Sequence, residues 1–247
     1  MRTELYEIIE KRKSVRKFDM NSLDSVLLQQ IKQFGEEVIP LIPDIRVKFN
    51  VYSHEEVKTL MAIKAPHYVG IYSENKDNFL LNAGYMLQQM DLYLSANNLG
   101  SCWLGMAKPS VALPEAVDGL DFVIMLAFGN PKEEVHRSSK EGFKRKSLEE
   151  IREGSGYEEI IEAARLAPSA RNTQTWYFIC KEKEILVCRR HTGFVTEHLM
   201  SRLNTIDVGI AMCHLDLALE NRGMERDITI EDITVPKGFI HLATVRL

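Results

Sequence analysis

Gly84-Tyr85-Met86-Leu87-Gln88-Gln89-Met90-Asp91-Leu92-Tyr93-Leu94 is the stretch whose reading decides the fold. Gly209-Ile210-Ala211-Met212-Cys213-His214-Leu215-Asp216-Leu217-Ala218-Leu219 coincides with it at the glycine, the aspartate and the two leucines that follow, at a constant offset of 125 residues. The first segment sits in a run over residues 76 to 98 that reads as a long, largely apolar helix. Each segment precedes a glycine expected to stop its helix, Gly100 and Gly223. A second pair of elements agrees, because Ile124-Met125-Leu126-Ala127 resembles Ile240-His241-Leu242-Ala243 in the final strand. Two amphipathic helices often coincide by chance. Two element types repeated in the same order favour an internal duplication.

Outward from the first helix, Leu5, Ile8 and Ile9 give an amphipathic helix that runs into a basic segment. Asn21 and Ser22 are cap candidates for a second helix, striped by Leu27, Ile31, Phe34 and Val38. Ile45, Val47, Phe49 and Val51 alternate with polar residues and predict a strand, and another is expected over 68–72. Residues 122–128 are continuously apolar, as in a central strand covered on both faces, and Gly129-Asn130-Pro131 ends it. Residues 132–156 are charged, carry a capping box at Ser147-Leu148-Glu149-Glu150, and close in Gly154-Ser155-Gly156. This is the expected boundary between a half over 1–153 and a half over 154–247. In the second half Tyr157, Ile160, Ile161 and Ala164 stripe a helix that Pro168 ends, and a strand anchored by Trp176 follows over 175–180.

Composition excludes several classes of function. Apolar content of 45% with 27% charged residues fits a folded soluble protein rather than a disordered one. The net charge of −4 offers no global basic field to nucleic acid or an anionic membrane. No apolar run approaches the ~20 residues that span a bilayer, and the charged first fifteen residues lack a secretory h-region. Cys102, Cys180, Cys188 and Cys213 are scattered without CxxC spacing, so a reducing cytoplasm is expected. The seven histidines are dispersed, no metal site is expected, and no GxGxxG, Walker, HExxH or GxSxG motif occurs. Cys102 beside Trp103 has no identifiable base and reads as a structural thiol.

Two segments carry candidate chemistry. Arg12-Lys13-Ser14-Val15-Arg16-Lys17-Phe18 assembles arginine forks and a hydroxyl, the groups a phosphate dianion needs. The same residues also suit a solvated helix end that complements the helix dipole. Ala167-Pro168-Ser169-Ala170-Arg171-Asn172-Thr173-Gln174-Thr175-Trp176 is a polar turn entering a strand. It is either an ordinary connection with a core tryptophan or a lining of small groups that lets backbone approach a ring.

Taken together, these segments resemble the nitroreductase family. The first is similar to its Arg-Arg-Ser-x-Arg-x-Phe phosphate motif, and the second to its Pro-Ser-x-x-Asn-x-Gln-Pro-Trp turn. Asn98-Leu99-Gly100-Ser101-Cys102-Trp103-Leu104-Gly105 resembles its Gly-Leu-Gly-x-x-Trp-x-Gly stretch, and Phe128-Gly129-Asn130-Pro131 its Gly-Tyr-Pro strand exit. Lys144-Arg145-Lys146-Ser147-Leu148-Glu149-Glu150 is similar to its following basic element. Lys13 departs from an arginine and Thr175 from a proline.

The resemblance implies an α+β, three-layer sandwich built from two half-domain repeats, each an antiparallel-rich sheet flanked by helices. It implies an FMN-dependent oxidoreductase that takes hydride from NAD(P)H and reduces a small acceptor such as a nitroaromatic or quinone. Arg12, Lys13, Ser14 and Arg16 would hold the FMN phosphate with help from Arg145 or its lysine neighbours. Pro168, Ser169 and Asn172 would line the ring, and the backbone at Leu104 and Gly105 would approach flavin N5. Lys58 or Lys64 would place charge near N1 and O2, and no side chain is implied as general acid or base. Family members are typically homodimers with the turn supplied by the partner subunit. Here the phosphate motif occurs only in the first half and the turn only in the second. The expectation is therefore a monomer acting as an intramolecular pseudo-dimer with one FMN site, in which Gly84 and Gly209 suit a close helix crossing. A non-catalytic flavin carrier or sensor is the alternative, and an interaction module without flavin a third reading.

Overall fold

In the computed structural model, which describes residues 2–110 and 116–247, the main helices and strands grow out of periodicities visible in the chain. Helix α1 (Arg2–Ile9) buries Leu5, Ile8 and Ile9, and α2 (Ser25–Glu37) buries Ile31 and Phe34. The cap of α2 is Asp24, whose carboxylate accepts the Val26 N–H at 2.8 Å. Asn21 and Ser22 are otherwise engaged, the first with Asp19 and the second with the His67 ring. Then come β1 (Val47–Ser53), β2 (Val57–Thr59), β3 (His67–Ser73), α3 (Phe79–Ala96), β4 (Gly100–Leu104), β5 (Ala107–Pro109), β6 (Ala116–Val117) and β7 (Leu120–Gly129). The remainder is α4 (Leu148–Ile151), β8 (Arg152–Glu153), α5 (Glu158–Arg165), β9 (Trp176–Lys181), β10 (Glu184–Arg190), α6 (Phe194–Asn221), β11 (Asp227–Thr229) and β12 (Phe239–Arg246).

The chain is a mixed helix and sheet protein with two main sheets. The first runs β1-β3-β7-β4, antiparallel throughout, with β6 added to β7. The second runs β11-β12-β10-β9-β8, antiparallel except for the parallel β8–β9 pair. β2 and β5 form a separate two-stranded ladder. Central β7 is buried from Val123 onward, as its unbroken apolar run predicts. The Ser147 capping box forms with Glu150 and starts α4, which leads directly into β8 of the second sheet.

α3 packs against the first sheet, α6 packs against the second, and their longest shared contact is with each other. Two glycines set how closely they cross. A Cβ on Gly84 would lie 2.2 Å from the Ile206 carbonyl oxygen, and one on Gly209 would lie 2.1 Å from that of Leu81. The expected close crossing is therefore present and reciprocal. The expected helix stops differ from each other. Gly223 takes φ +65 after α6, but α3 ends at Asn97, with Asn98 at φ 58 in the left-handed position. Gly100 instead opens β4 where Val15 presses on the backbone, since a Cβ there would lie 2.6 Å from Val15 Cγ1.

Candidate functional site

The basic segment begins at the end of α1, where the Arg12 N–H still donates to the Ile8 carbonyl at 2.8 Å, but does not continue the helix. α1 stops at Ile9, and the chain then lies extended beside residues 130–137. Lys132 N–H donates to the Lys17 carbonyl, Arg137 N–H to that of Lys11, and Val15 N–H to that of Ser101. Val15 and Phe18 are buried, which anchors the strip and leaves Lys13, Ser14 and Arg16 half-buried or exposed. The solvated-helix-end reading is thereby replaced. Arg12 turns inward at 2% exposure, with Nε 2.6 Å from Asp91 Oδ2 on α3 and Nη2 3.2 Å from Ser14 Oγ. Ser101 Oγ donates to the other Asp91 oxygen, so a fully buried carboxylate fixes the arginine from one side.

Arg137 and Arg145 complete a cationic group. Their guanidinium carbons lie 4.3 and 5.5 Å from the centroid of the Phe143 ring. Burial, with Arg12, Arg137 and Arg165 nearby, pushes the Arg145 guanidinium down to about 10. Burial, Arg12 and Arg16 also lower Arg137. Among the described residues neither has a carboxylate within ion-pair distance, and each buries an Nε without a hydrogen-bond partner. Gathering like charges with unsatisfied N–H groups is costly unless an anion is to be received.

Arg145 ties the 144–146 stretch to the polar turn. Its Nη1 donates to Asn172 Oδ1 at 2.7 Å, and its Nη2 to the Leu166 carbonyl at 3.2 Å. Asn172 Nδ2 donates back to the Lys144 carbonyl at 2.8 Å. The turn holds Arg171, Asn172 and Gln174 at φ 52, 59 and 51, a sparsely populated region for side-chain-bearing residues. It is pinned by the Gln174 N–H on Ser169 Oγ at 3.1 Å and by the Ala170 N–H on both Asp207 oxygens at 3.1 and 3.0 Å. Pro168 is buried behind it. Asp207 belongs to α6, and burial raises its carboxyl to about 8. One turn earlier on α6, Leu203 meets the Gly105 backbone, where a Cβ would lie 3.4 Å from either Leu203 Cδ. Leu104 is buried just before it. The extended basic strip, β4, α6, the turn and the 143–146 stretch thus close a ring around one region.

A family model described as "Putative TM nitroreductase" matches residues 4–219, a span that contains both segments and both crossing glycines. The chain belongs to the nitroreductase family. Its fold matches that of a Thermotoga maritima protein described as "a putative nitroreductase", at 21% identity and a TM-score of 0.67 over 98% of this chain and 93% of that chain. A Desulfovibrio desulfuricans protein, described as "a putative nitroreductase in complex with FMN", is 20% identical with a TM-score of 0.45, over 62% of this chain and 97% of that one. A nitroreductase family protein of Clostridium difficile is 17% identical with a TM-score of 0.46, over 63% and 97%. No curated protein matches the sequence.

Not every expected residue of this nitroreductase chain converges equally. Lys13 and Arg16 belong to the strip, but the Arg16 backbone N–H is taken by Glu133 at 2.7 Å, which holds that carboxylate below its usual range. Lys58 lies exposed on β2 opposite Lys108, and Lys64 is exposed shortly before β3, so no contact selects either. Cys102 is buried and its thiol raised by burial, as a structural cysteine should be. Clefts of about 540 Å³ beside Lys32 and Phe49, and of about 460 Å³ beside Tyr6 and Glu162, lie outside the arginine group. The charges, not the clefts, mark the site. Sequence reading missed Arg137, which nothing local separates from its charged neighbours. It also missed Asp207, although a lone carboxylate between Ile206 and Val208 in an apolar helix was a usable signal.

Proposed function

We propose that this member of the nitroreductase family is an FMN-dependent oxidoreductase that takes hydride from NAD(P)H and reduces a small acceptor such as a nitroaromatic or quinone. The carrying observation is the arginine group: Arg12 fixed by Asp91, with Arg137 and Arg145 uncompensated and each holding an orphaned Nε. A terminal phosphate supplies the negative charge and acceptor oxygens these groups lack. FMN, when bound, supplies the hydride chemistry, and the protein supplies orientation and electrostatics.

In this reading Arg12, Ser14, Arg137 and Arg145 hold the phosphate, with Lys13 and Arg16 adding charge at the rim. Pro168 and Ser169 shape the ring-side turn. Asn172 couples that turn to the phosphate end, because its amide is committed to Lys144 and Arg145. The small Gly105 lets backbone approach the ring, and no side chain serves as general acid or base.

The halves 1–153 and 154–247 then contribute opposite walls of one site, and the chain works as a monomer. The reciprocal crossing at Gly84 and Gly209 supports this view. So does the charge balance at Asp216, which stands at the repeat position of Asp91. Asp216 binds Arg2 and Arg226, the Tyr85 hydroxyl donates to it at 2.7 Å, and Glu220 balances the second arginine. Among the described residues that contact Asp216, no positive excess is left for a second phosphate.

The test is the absorbance spectrum and flavin-to-chain ratio of the purified protein, followed by steady-state NAD(P)H oxidation with a nitroaromatic or quinone. One flavin per chain with acceptor-dependent turnover is expected. Two per chain refutes the single-site account, bound flavin without turnover makes the chain a carrier or sensor, and no flavin after FMN addition removes the cofactor.

A further inference from the structure

The β2–β5 ladder turns one face outward beside the candidate site, and among the described residues nothing packs on that face. In its register Lys58 stands opposite Lys108, and the next same-face pair is Leu60 and Met106, joined by the Leu60 N–H on the Met106 carbonyl at 3.3 Å. The strand alternation places all four on one side, with Val57, Thr59, Ala107 and Pro109 on the other. Burial follows the alternation: Ala107 and Pro109 are buried, both lysines are exposed, and Leu60 and Met106 are 89% and 61% exposed.

Met106 directly follows Gly105, which touches Leu203 of α6. One turn before Leu203 on the same helix face is Leu199, itself 71% exposed. Two exposed apolar side chains, Met106 and Leu199, thus each stand next to a member of the Gly105–Leu203 contact, and Leu60 pairs with Met106. Two lysines stand directly opposite each other there, and among the described residues neither has an ion-pair partner. Like charges across a ladder destabilise it, so the arrangement calls for an anion.

We infer that this face selects the electron acceptor, and that the acceptor is an apolar, planar molecule bearing an acidic group such as a carboxylate or sulfonate. The inference rests on the proposed flavin site for its location. Leu60, Met106 and Leu199 cover the apolar ring system, while Lys58 and Lys108 hold the anionic substituent. A second copy of the chain fits the face less well, because a twofold contact would bring two lysine pairs together.

Calorimetric titration of the FMN-loaded protein tests this with two redox-inert probes, naphthalene-2-sulfonate and 2-naphthyltrimethylammonium. Naphthalene-2-sulfonate is expected to bind roughly fivefold tighter or more than its cationic analogue, from two nearby unpaired lysines in a solvent-facing site. Leu60→Ser with Met106→Ser should weaken it roughly tenfold by loss of apolar contact area. Lys108→Gln should narrow the gap between the two probes. Flavin content should stay at the wild-type ratio in all variants, which also reports that they are folded. Unchanged sulfonate affinity in the Leu60→Ser/Met106→Ser protein overturns the inference. So does a wild-type dimer, seen by sedimentation, that this variant dissolves. A wild-type protein that takes up no FMN defeats the cofactor reading instead, and the same titration on the flavin-free chain then shows whether the face binds the anion.

Discussion

Replacing Gly84 with alanine sets two effects of opposite sign against each other. Alanine in a helix interior is favoured over glycine by about 1 kcal/mol, so propensity alone predicts a stabilised protein. The new Cβ, however, would sit 2.2 Å from the Ile206 carbonyl oxygen and 3.0 Å from its carbon, and both are backbone atoms that no rotamer change can move. Relief requires α3 and α6 to separate by about 1 Å, since real Cβ contacts rarely fall below 3.0 Å. A gap of that size forfeits roughly a quarter to a half of each dispersion contact along the interface. Overpacking of this kind costs about 1–3 kcal/mol even where side chains can yield, and here they cannot. The net expectation is a loss of about 2 kcal/mol or more, or a Tm lower by roughly 4–8 °C for a chain of this size.

Urea denaturation of Gly84→Ala, Gly209→Ala and the double variant measures it, with Gly142→Ala as control. At Gly142 the nearest atom to a new Cβ is 3.6 Å away, so little change is expected. The double variant should lose less than the sum of the singles, because one separation of the helices relieves both clashes. A Gly84→Ala protein as stable as the wild type, or more stable, would refute the close crossing.

Asp91→Asn should destabilise the protein by about 3–5 kcal/mol by leaving the buried Arg12 guanidinium unpaired. Arg12→Met combined with Asp91→Leu should recover part of that loss in the same denaturation assay while FMN affinity remains impaired. Arg145→Met should weaken FMN binding at least tenfold, from a lost charge-assisted bond to phosphate. Equal affinity by fluorescence titration would remove Arg145 from the phosphate site.

The buried Asp207 carboxyl, raised to about 8, gives a pH dependence of defined sign. Between the unfolded value near 4 and the folded value near 8, the native state binds the extra proton, so this group makes stability fall as pH rises. Asp207→Asn removes that slope and keeps an acceptor for the Ala170 N–H. The variant should therefore gain stability on the wild type between pH 5 and pH 8.5. A constant difference across that window would mean the carboxyl does not titrate there.

Periodicity and local chemistry were enough for most elements. The stripe of Leu5, Ile8 and Ile9, the apolar run of β7, the Ser147 capping box and the α6 stop at Gly223 all form where the residues indicate. Elements whose limits depend on competing neighbours were read less well. Asp24 rather than Asn21 caps α2, because Asn21 is held by Asp19, and Asn98 rather than Gly100 ends α3.

By itself the sequence determined the family-type motifs, the helix pair carrying Gly84 and Gly209, and the alternation that builds two sheets. These are properties of neighbouring residues and of spacing, which the chain carries in one dimension. Only the tertiary structure decided that Asp91 fixes Arg12 through its Nε while Arg137 and Arg145 are left without a carboxylate partner over Phe143. It also decided that Asp207 lies buried under the Ala170 turn and that Leu60 and Met106 face outward beside Lys58 and Lys108. Charge balance and burial are sums over residues far apart in the chain, and folding alone chooses which of them meet.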